Sequence, residues 1–414
     1  MNDKELQQNP SQKKKLTFGQ IFLGILGVIA GILALIIVAY LCFCMYLMKD
    51  HWLAFVALIL LLAAFFALHF YSAKRFKNAI GRRLLINVCS WIVFLPVALL
   101  IVNLGRPDRS VSLMGDYATA TTRYNTLVVQ HLTPEEVVAS HVYEPYEFGS
   151  SPVPIPDGYT NELIALPNCN GFLMQKEDGN HNKVVYQIHG GAYVLGYAWY
   201  YDLNAVMLSD VNGDSDVFSI DYRTAAVSPY PAALDDAIDG YNWLLSQGYL
   251  PENIVVFGDS AGGGLSLAMT LKLRDTGAKL PKCLVLSSPW TDLSQEGESY
   301  TTNRKTDAMF GCLDDSAIGR RALPTTYADG DSVYNPYISP VFADYHDMPP
   351  MLIQAVKTEM LLSDSTTVAQ KAKEAGTECT LKLFNCMWHT FFTASDEIPE
   401  QKKAWDNIRE FLNK

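Results

Sequence analysis

With 414 residues, the chain exceeds one ordinary small domain and leaves room for a membrane portion beside one large globular domain. Its charge is unevenly spread: residues 1–104 hold 10 of the 32 Lys and Arg but 3 of the 43 Asp and Glu, leaving 22 cationic against 40 anionic residues in the remaining 310. A basic apolar front and an acidic back are different materials, and the acidic back excludes nucleic acid as a partner, because phosphate binding requires a basic surface.

Three apolar stretches free of charged residues open the chain: Phe18–Met48, Trp52–Ala73 and Leu84–Gly105. A spanning helix requires roughly 20 such residues, since lipid offers no partners for backbone polar groups. The second and third fit that length, and the first has turns to spare. Trp52 and Tyr71 mark the ends of the second stretch, where amphipathic rings favour the headgroup region. A cleaved signal peptide has a shorter apolar core and is not followed by two more such stretches. The expectation is three transmembrane helices, at about 18–48, 52–73 and 84–105, with two as the competing count.

Cations set the orientation. Lys4, Lys13, Lys14 and Lys15 precede the first stretch, and Lys74, Arg75, Lys77, Arg82 and Arg83 lie between the second and third. Lys49, Arg106 and Arg109 fall on the other side. The positive-inside rule then places the N-terminus in the cytoplasm and, with three spans, the globular domain outside the cytoplasm. The five cysteines beyond the apolar front (Cys169, Cys283, Cys312, Cys379 and Cys386) show neither a disulfide framework nor zinc-site spacing.

From about Ser110 short apolar runs alternate with helical patterns. Val184–Ile188, Val217–Ile220, Ile254–Phe257, Cys283–Leu286, Met351–Val356 and Thr380–Phe384 read as strands covered on both faces, because they are continuous rather than alternating. Helices are expected from Pro231 through Leu234, Ile238, Tyr241 and Leu245, from just after Ser260, over Asp364–Ala375 and over Ala404–Leu412. The pattern predicts a mostly parallel sheet with helices on both faces and a ligand site at the carboxyl ends of the strands. Residues 110–158 and 294–346 are too long for simple connections and are expected to fold over the sheet as a cap. The implied domains are a membrane region over 1–107, a linker and cap segment over 108–158, and a catalytic domain over 159–414 with a cap insertion at about 294–346.

Gly258-Asp259-Ser260-Ala261-Gly262 follows one of these strands and opens an apolar helix. This G-x-S-x-G spacing, in a strand–turn–helix context, makes a sharp turn that exposes a serine hydroxyl above the sheet. His189-Gly190-Gly191-Ala192 follows another strand and matches an oxyanion loop, in which backbone N–H groups face a developing negative charge. Its third position is usually Gly, and Ala192 keeps the N–H. His189 itself reads as a loop anchor.

With Asp221-Tyr222-Arg223, Tyr230-Pro231-Ala232-Ala233-Leu234-Asp235-Asp236, Ser288-Pro289-Trp290-Thr291-Asp292-Leu293 and Ser339-Pro340 in order, residues 160–414 resemble the hormone-sensitive-lipase-like family of α/β-hydrolases. The membrane portion lies outside the resemblance. Chain order in this fold runs Ser, acid, His. The resemblance implies His389, in Cys386-Met387-Trp388-His389, as the base. It implies Glu359 as the acid, where the family more often has Asp. Asp364 is the rival acid, with an N-terminal helix charge as its alternative role.

The resemblance thus implies a carboxylic ester hydrolase with Ser260 as nucleophile. Gly190, Gly191, Ala192 and Ala261 would make the oxyanion hole, with the Gly190 position shaping the loop. The substrate would be a small-molecule or lipid ester, and no metal or organic cofactor is implied. Amidase or peptidase chemistry uses the same triad, and a non-catalytic membrane-tethered binding protein could share the fold.

Overall fold

The computed structural model describes residues 52–76, 79–104, 108–128, 146–225, 228–311 and 326–414, with Ile32, Ile36, Ala39 and Arg106 singly. The chain divides into two compact units, Met1–Pro107 and Asp108–Lys414.

In the first unit, α1 (Trp52–Arg75) and α2 (Ile80–Leu104) form a helical pair. Leu58, Phe65, Phe94, Ala98 and Val102 are buried between them, and the Phe65 ring centroid lies 4.5 Å from those of both Trp91 and Phe94. Their outward faces stay apolar: Leu60, Phe70, Leu85 and Ile92 are all exposed. Both helices are long and apolar enough to cross a membrane, over Val56–Arg75 and Gly81–Leu104. The structure therefore gives two such helices among the described residues rather than three, and the stretch expected at about 18–48 lies outside them.

The second unit is built on one eight-stranded sheet. Its strands are β1 (Tyr159–Ala165), β2 (Asn170–Lys176), β3 (Asn180–Ile188), β4 (Ser215–Asp221), β5 (Ile254–Asp259), β6 (Cys283–Ser287), β7 (Met351–Val356) and β8 (Cys379–Phe384). They lie in the order β1-β2-β4-β3-β5-β6-β7-β8. β2 runs antiparallel to both its neighbours, and β3 to β8 are mutually parallel. All six strands expected from the apolar runs are present, but β8, at the far edge of the sheet, is not covered on both faces: Lys382 and Leu383 are exposed and only Phe384 is buried. β1 and β2 were not anticipated, because polar residues interrupt them; β1, at the edge, is nowhere fully buried.

Successive side chains of a strand face opposite layers, and both layers are filled. Val184, Tyr186, Ile188, Val256 and Leu286 belong to one core cluster, together with side chains of α5 (Ala232–Ser246), α6 (Ser260–Asp275) and α8 (Leu362–Glu374). Val185, Val255, Phe257, Val285 and Leu352 belong to the other, with α4 (Tyr200–Val211) and α9 (Pro399–Leu412). Double coverage is why these strands are continuous apolar runs. Pro231 proves to be the residue before α5 rather than its first turn.

The segment ahead of the sheet contains α3 (Leu113–Val128), and a four-residue turn of helix, α7 (Ser299–Thr302), follows β6. α3 is held to two distant loops. Thr119 Oγ1 donates to the Cys386 carbonyl at 3.0 Å, Arg123 donates to the carbonyls of Lys305 and Thr306, and Thr126 Oγ1 donates to that of Met309 at 3.2 Å. Among the described residues, Cys89, Cys169, Cys283, Cys379 and Cys386 are free thiols.

One polar pair pins α9 to the sheet. Gln354, 1% exposed on β7, donates to the Ala404 carbonyl at 3.0 Å and accepts from Asn407 Nδ2 at 2.8 Å. Replacing it by an apolar residue strands the Asn407 amide in the core. Gln354→Leu should destabilise the catalytic unit by about 1–3 kcal/mol, read from the urea midpoint of unfolding.

Candidate active site

Ser260 sits where β5 ends and α6 begins. Its φ of +52° is left-handed, a conformation that costs a non-glycine residue about 1–3 kcal/mol and that the surrounding packing must impose. That packing is severe. A Cβ on Gly262 would stand 2.1 Å from the Ile188 carbonyl oxygen and 2.4 Å from that of His189, so only glycine lets α6 rest against the end of β3. The Ser260 carbonyl accepts from the Trp290 amide at 2.8 Å, tying the turn to the segment after β6.

The loop after β3 lies alongside. Gly190 is as tightly placed, since a Cβ there would meet Asp259 Oδ2 at 2.6 Å and Ser260 Cβ at 3.1 Å. Its amide donates to Asp259 Oδ1 at 3.0 Å and to the Tyr201 hydroxyl at 2.9 Å. That N–H is therefore engaged. Gly191, Ala192 and Tyr193 follow with φ of +119°, +54° and +60°, and no backbone carbonyl among the described residues accepts from the amides of Gly191, Ala192 or Ala261.

Glu359 lies in the turn after β7, and its carboxylate folds back over its own strand end. Oε1 accepts from the Val356 amide at 2.8 Å and the Ser288 hydroxyl at 2.9 Å. Oε2 lies 2.7 Å from Nδ1 of His389, beyond β8. Glu359 and His389 are 1% and 2% exposed, so this pair is shielded from solvent. His389 Nε2 is buried and has no hydrogen-bond partner among the described residues, Ser260 included. The Phe310 ring packs on the imidazole with centroids 4.8 Å apart.

Asp364 is placed differently. It lies in the first turn of α8, but its carboxylate turns inward, and Oδ2 accepts from the amides of Thr291 at 2.7 Å and Asp292 at 2.8 Å. Burial raises its pKa well above the usual carboxylate range. Asp364 thus stands at the start of α8, where a helix-terminus charge was the alternative role, but it is buried and anchors the loop after β6.

His189 is fully buried, stacked on Tyr222 with centroids 4.1 Å apart, and its Nδ1 lies 2.6 Å from the Gly190 carbonyl oxygen. Burial lowers its pKa. It braces the loop.

Sequence reasoning gave no role to three residues here. Ser288 shares Glu359 with His389; a polar residue at the carboxyl end of β6, next to the acid's strand, was its signal. Asp307 is buried and accepts from the amides of Met309, Phe310 and Met360. Asp259, beside the nucleophile position, holds both the Gly190 amide and the Tyr201 hydroxyl.

Burial pushes the Asp259 carboxyl up to about 6, although the Tyr201 hydroxyl, the Gly190 amide and nearby His389 all pull it down. A carboxyl raised on folding favours its neutral form, so the stability it contributes is full below the unfolded value and lost as pH climbs through about 6. The difference corresponds to about 3 kcal/mol. Asp259→Asn removes the ionisation and keeps an acceptor for Gly190. The variant should unfold at a higher temperature than the parent at about pH 7–8, and the two should converge near about pH 4 in thermal scans.

Similarity to known proteins agrees with this architecture. Residues 185–393 match the model of an α/β-hydrolase-fold family. An acetyl-hydrolase of Streptomyces hygroscopicus is 33% identical over 267 residues, which covers 64% of this chain and 85% of that protein. An esterase of Acinetobacter venetianus is 34% identical over 238 residues, covering 57% and 76%. A crystal structure of an esterase from the bacterial hormone-sensitive lipase family superposes with a TM-score of 0.60 at 31% identity, over 73% of this chain and 97% of that one. With strand order, elbow and loop in place, the chain belongs to the α/β-hydrolase family, as a carboxylic ester hydrolase of its hormone-sensitive-lipase-like branch.

Proposed function

We propose that the chain is a membrane-anchored serine hydrolase in which Ser260, His389 and Glu359 act as nucleophile, base and acid. The observation that carries this reading is the 2.7 Å contact between Glu359 and His389 Nδ1, which leaves a buried Nε2 with no other partner among the described residues. Among the described residues Ser260 and His389 share no hydrogen bond, and such bonds tighten in a substrate complex.

Ser260 Oγ attacks the ester carbonyl carbon while His389 Nε2 takes its proton. Glu359 keeps the imidazole in the right tautomer and balances its positive charge. The amides of Gly191, Ala192 and Ala261 receive the oxyanion, each free of a backbone acceptor, and Gly190 shapes the loop because its own N–H is engaged by Asp259 and Tyr201. The tetrahedral intermediate then collapses, the C–O bond breaks, and His389 returns its proton to the departing alcohol. Water, deprotonated by the same imidazole, cleaves the acyl-Ser260 ester and restores the enzyme.

In this reading residues 1–107 are the membrane region, 108–158 a linker and cap segment, and 159–414 the catalytic domain with its cap insertion at about 294–346. Two helices of suitable length among the described residues, the further apolar stretch at about 18–48 and the cation distribution support a multi-pass anchor; with all three stretches spanning, the N-terminus lies in the cytoplasm and the catalytic domain outside it.

Ser260→Ala should lower turnover of an activated ester by about 10⁴-fold or more and abolish labelling by a fluorophosphonate, with unchanged thermal unfolding. Glu359→Gln should cost at least about 100-fold in kcat, whereas Asp364→Asn should leave kcat near normal. The reverse ranking would reassign the acid. In intact cells, external protease should digest or release residues 110–414. Protection until lysis would place the domain in the cytoplasm.

A further inference from the structure

The turn after α7 carries no role in the chemistry above, yet it is built against it. Asp307, 2% exposed, is its rivet. Its Oδ1 accepts from the amides of Met309 at 2.7 Å and Phe310 at 2.8 Å, folding residues 307–310 into a tight turn. Its Oδ2 accepts from the amide of Met360 at 2.6 Å, the residue next to Glu359. One buried carboxyl thus binds the cap turn to the turn that bears the acid. Asn303 adds a second clasp, donating to the carbonyls of Lys357 and Glu359 at 2.9 Å. From the far side, α3 holds the same turn through the Lys305, Thr306 and Met309 carbonyls.

What this scaffold presents is one ring. Phe310 is half-buried, and its centroid lies 4.8 Å from that of the His389 imidazole. A side chain free to rotate would gain little there. Here the backbone that carries the ring is fixed by hydrogen bonds from its own amide and from the amide before it. His389 Nδ1 is committed to Glu359, so proton transfer to the leaving oxygen runs through Nε2. The departing alcohol must therefore pass within hydrogen-bond reach of the ring that Phe310 covers, whereas the acyl carbonyl is directed at the amides of the oxyanion loop.

We infer that Phe310 is a specificity-determining residue for the alcohol part of the ester and that Asp307 is the positioning residue that holds it there. The ring admits flat or slender alcohol groups beside His389 and rejects those bulky next to the ester oxygen. This inference rests on the proposed role of His389, and its test is separable from a test of that role.

The measurement is kcat/KM of the full-length protein on two ester series. One keeps an acetyl group and enlarges the alcohol from methyl through phenyl to isopropyl and tert-butyl, branched next to the ester oxygen. The other keeps one alcohol and lengthens the acyl chain. Phe310→Ala should improve the bulkiest alcohols by about 10-fold or more relative to methyl, while the acyl-chain ranking stays as in the parent. Phe310→Leu should fall between. Asp307→Asn keeps an acceptor for the turn but sets a donor against the Met360 amide, and should shift the alcohol ranking in the same direction. A purely structural Asp307 would lower the unfolding temperature with no change in ranking. If Phe310→Ala changes both series alike, or only the acyl series, the inference is overturned. A His389→Gln variant that kept its activity would instead defeat the triad reading, whatever the alcohol ranking showed.

Discussion

The helix that follows Ser260 touches the end of a strand some seventy residues earlier, backbone against backbone. No side chain intervenes at Gly262, and the carbonyls of Ile188 and His189 fill the space where one would be. This contact puts the elbow and the oxyanion loop at one place and sets their separation by van der Waals radii rather than by flexible side chains. It is available because β3 and β5 are adjacent and parallel in the sheet, so both chains leave at the same edge. The left-handed φ of Ser260 is a consequence: the backbone must turn at once to bring α6 back under the sheet.

Around that contact, buried carboxyls serve as fasteners. Asp259 joins the elbow to the loop, Asp307 joins the cap turn to the acid's turn, and Asp364 joins α8 to the segment after β6. Each accepts from backbone amides of segments distant in sequence. Such amides lie in loops where no ladder partner exists, and a buried unpaired N–H is costly. The same burial makes every one of these carboxyls harder to ionise than an ordinary side chain.

This explains what the sequence reveals and what it conceals. β4 to β7 are legible because both faces are covered, which writes a mostly apolar run. Ser260 and the Gly190-Gly191-Ala192 loop are legible because their backbone geometry demands particular residues at fixed spacing. β1 is obscure because an exposed edge tolerates Asn, Glu and Thr, and β2, inside it, because its apolar run is only Phe172–Met174 between polar ends. Asp307 is obscure for a different reason: an aspartate in a polar loop looks the same whether it faces water or grips three amides. Only the fold distinguishes them. The inward turn of Asp364 is of the same kind, since its position at the start of a helix does not say whether the carboxyl is buried.

α3 lies ahead of residues 185–393, which the family model matches, yet it clasps the Cys386 carbonyl, three residues from His389, and the cap turn that carries Phe310. Ser112 reaches farther still, donating from both its amide and its hydroxyl to Glu400 at the start of α9. The span of the family model is therefore not the boundary of the working unit. A version of this protein trimmed to residues 185–393 would keep every residue of the proposed triad and lose the brace on two of its walls.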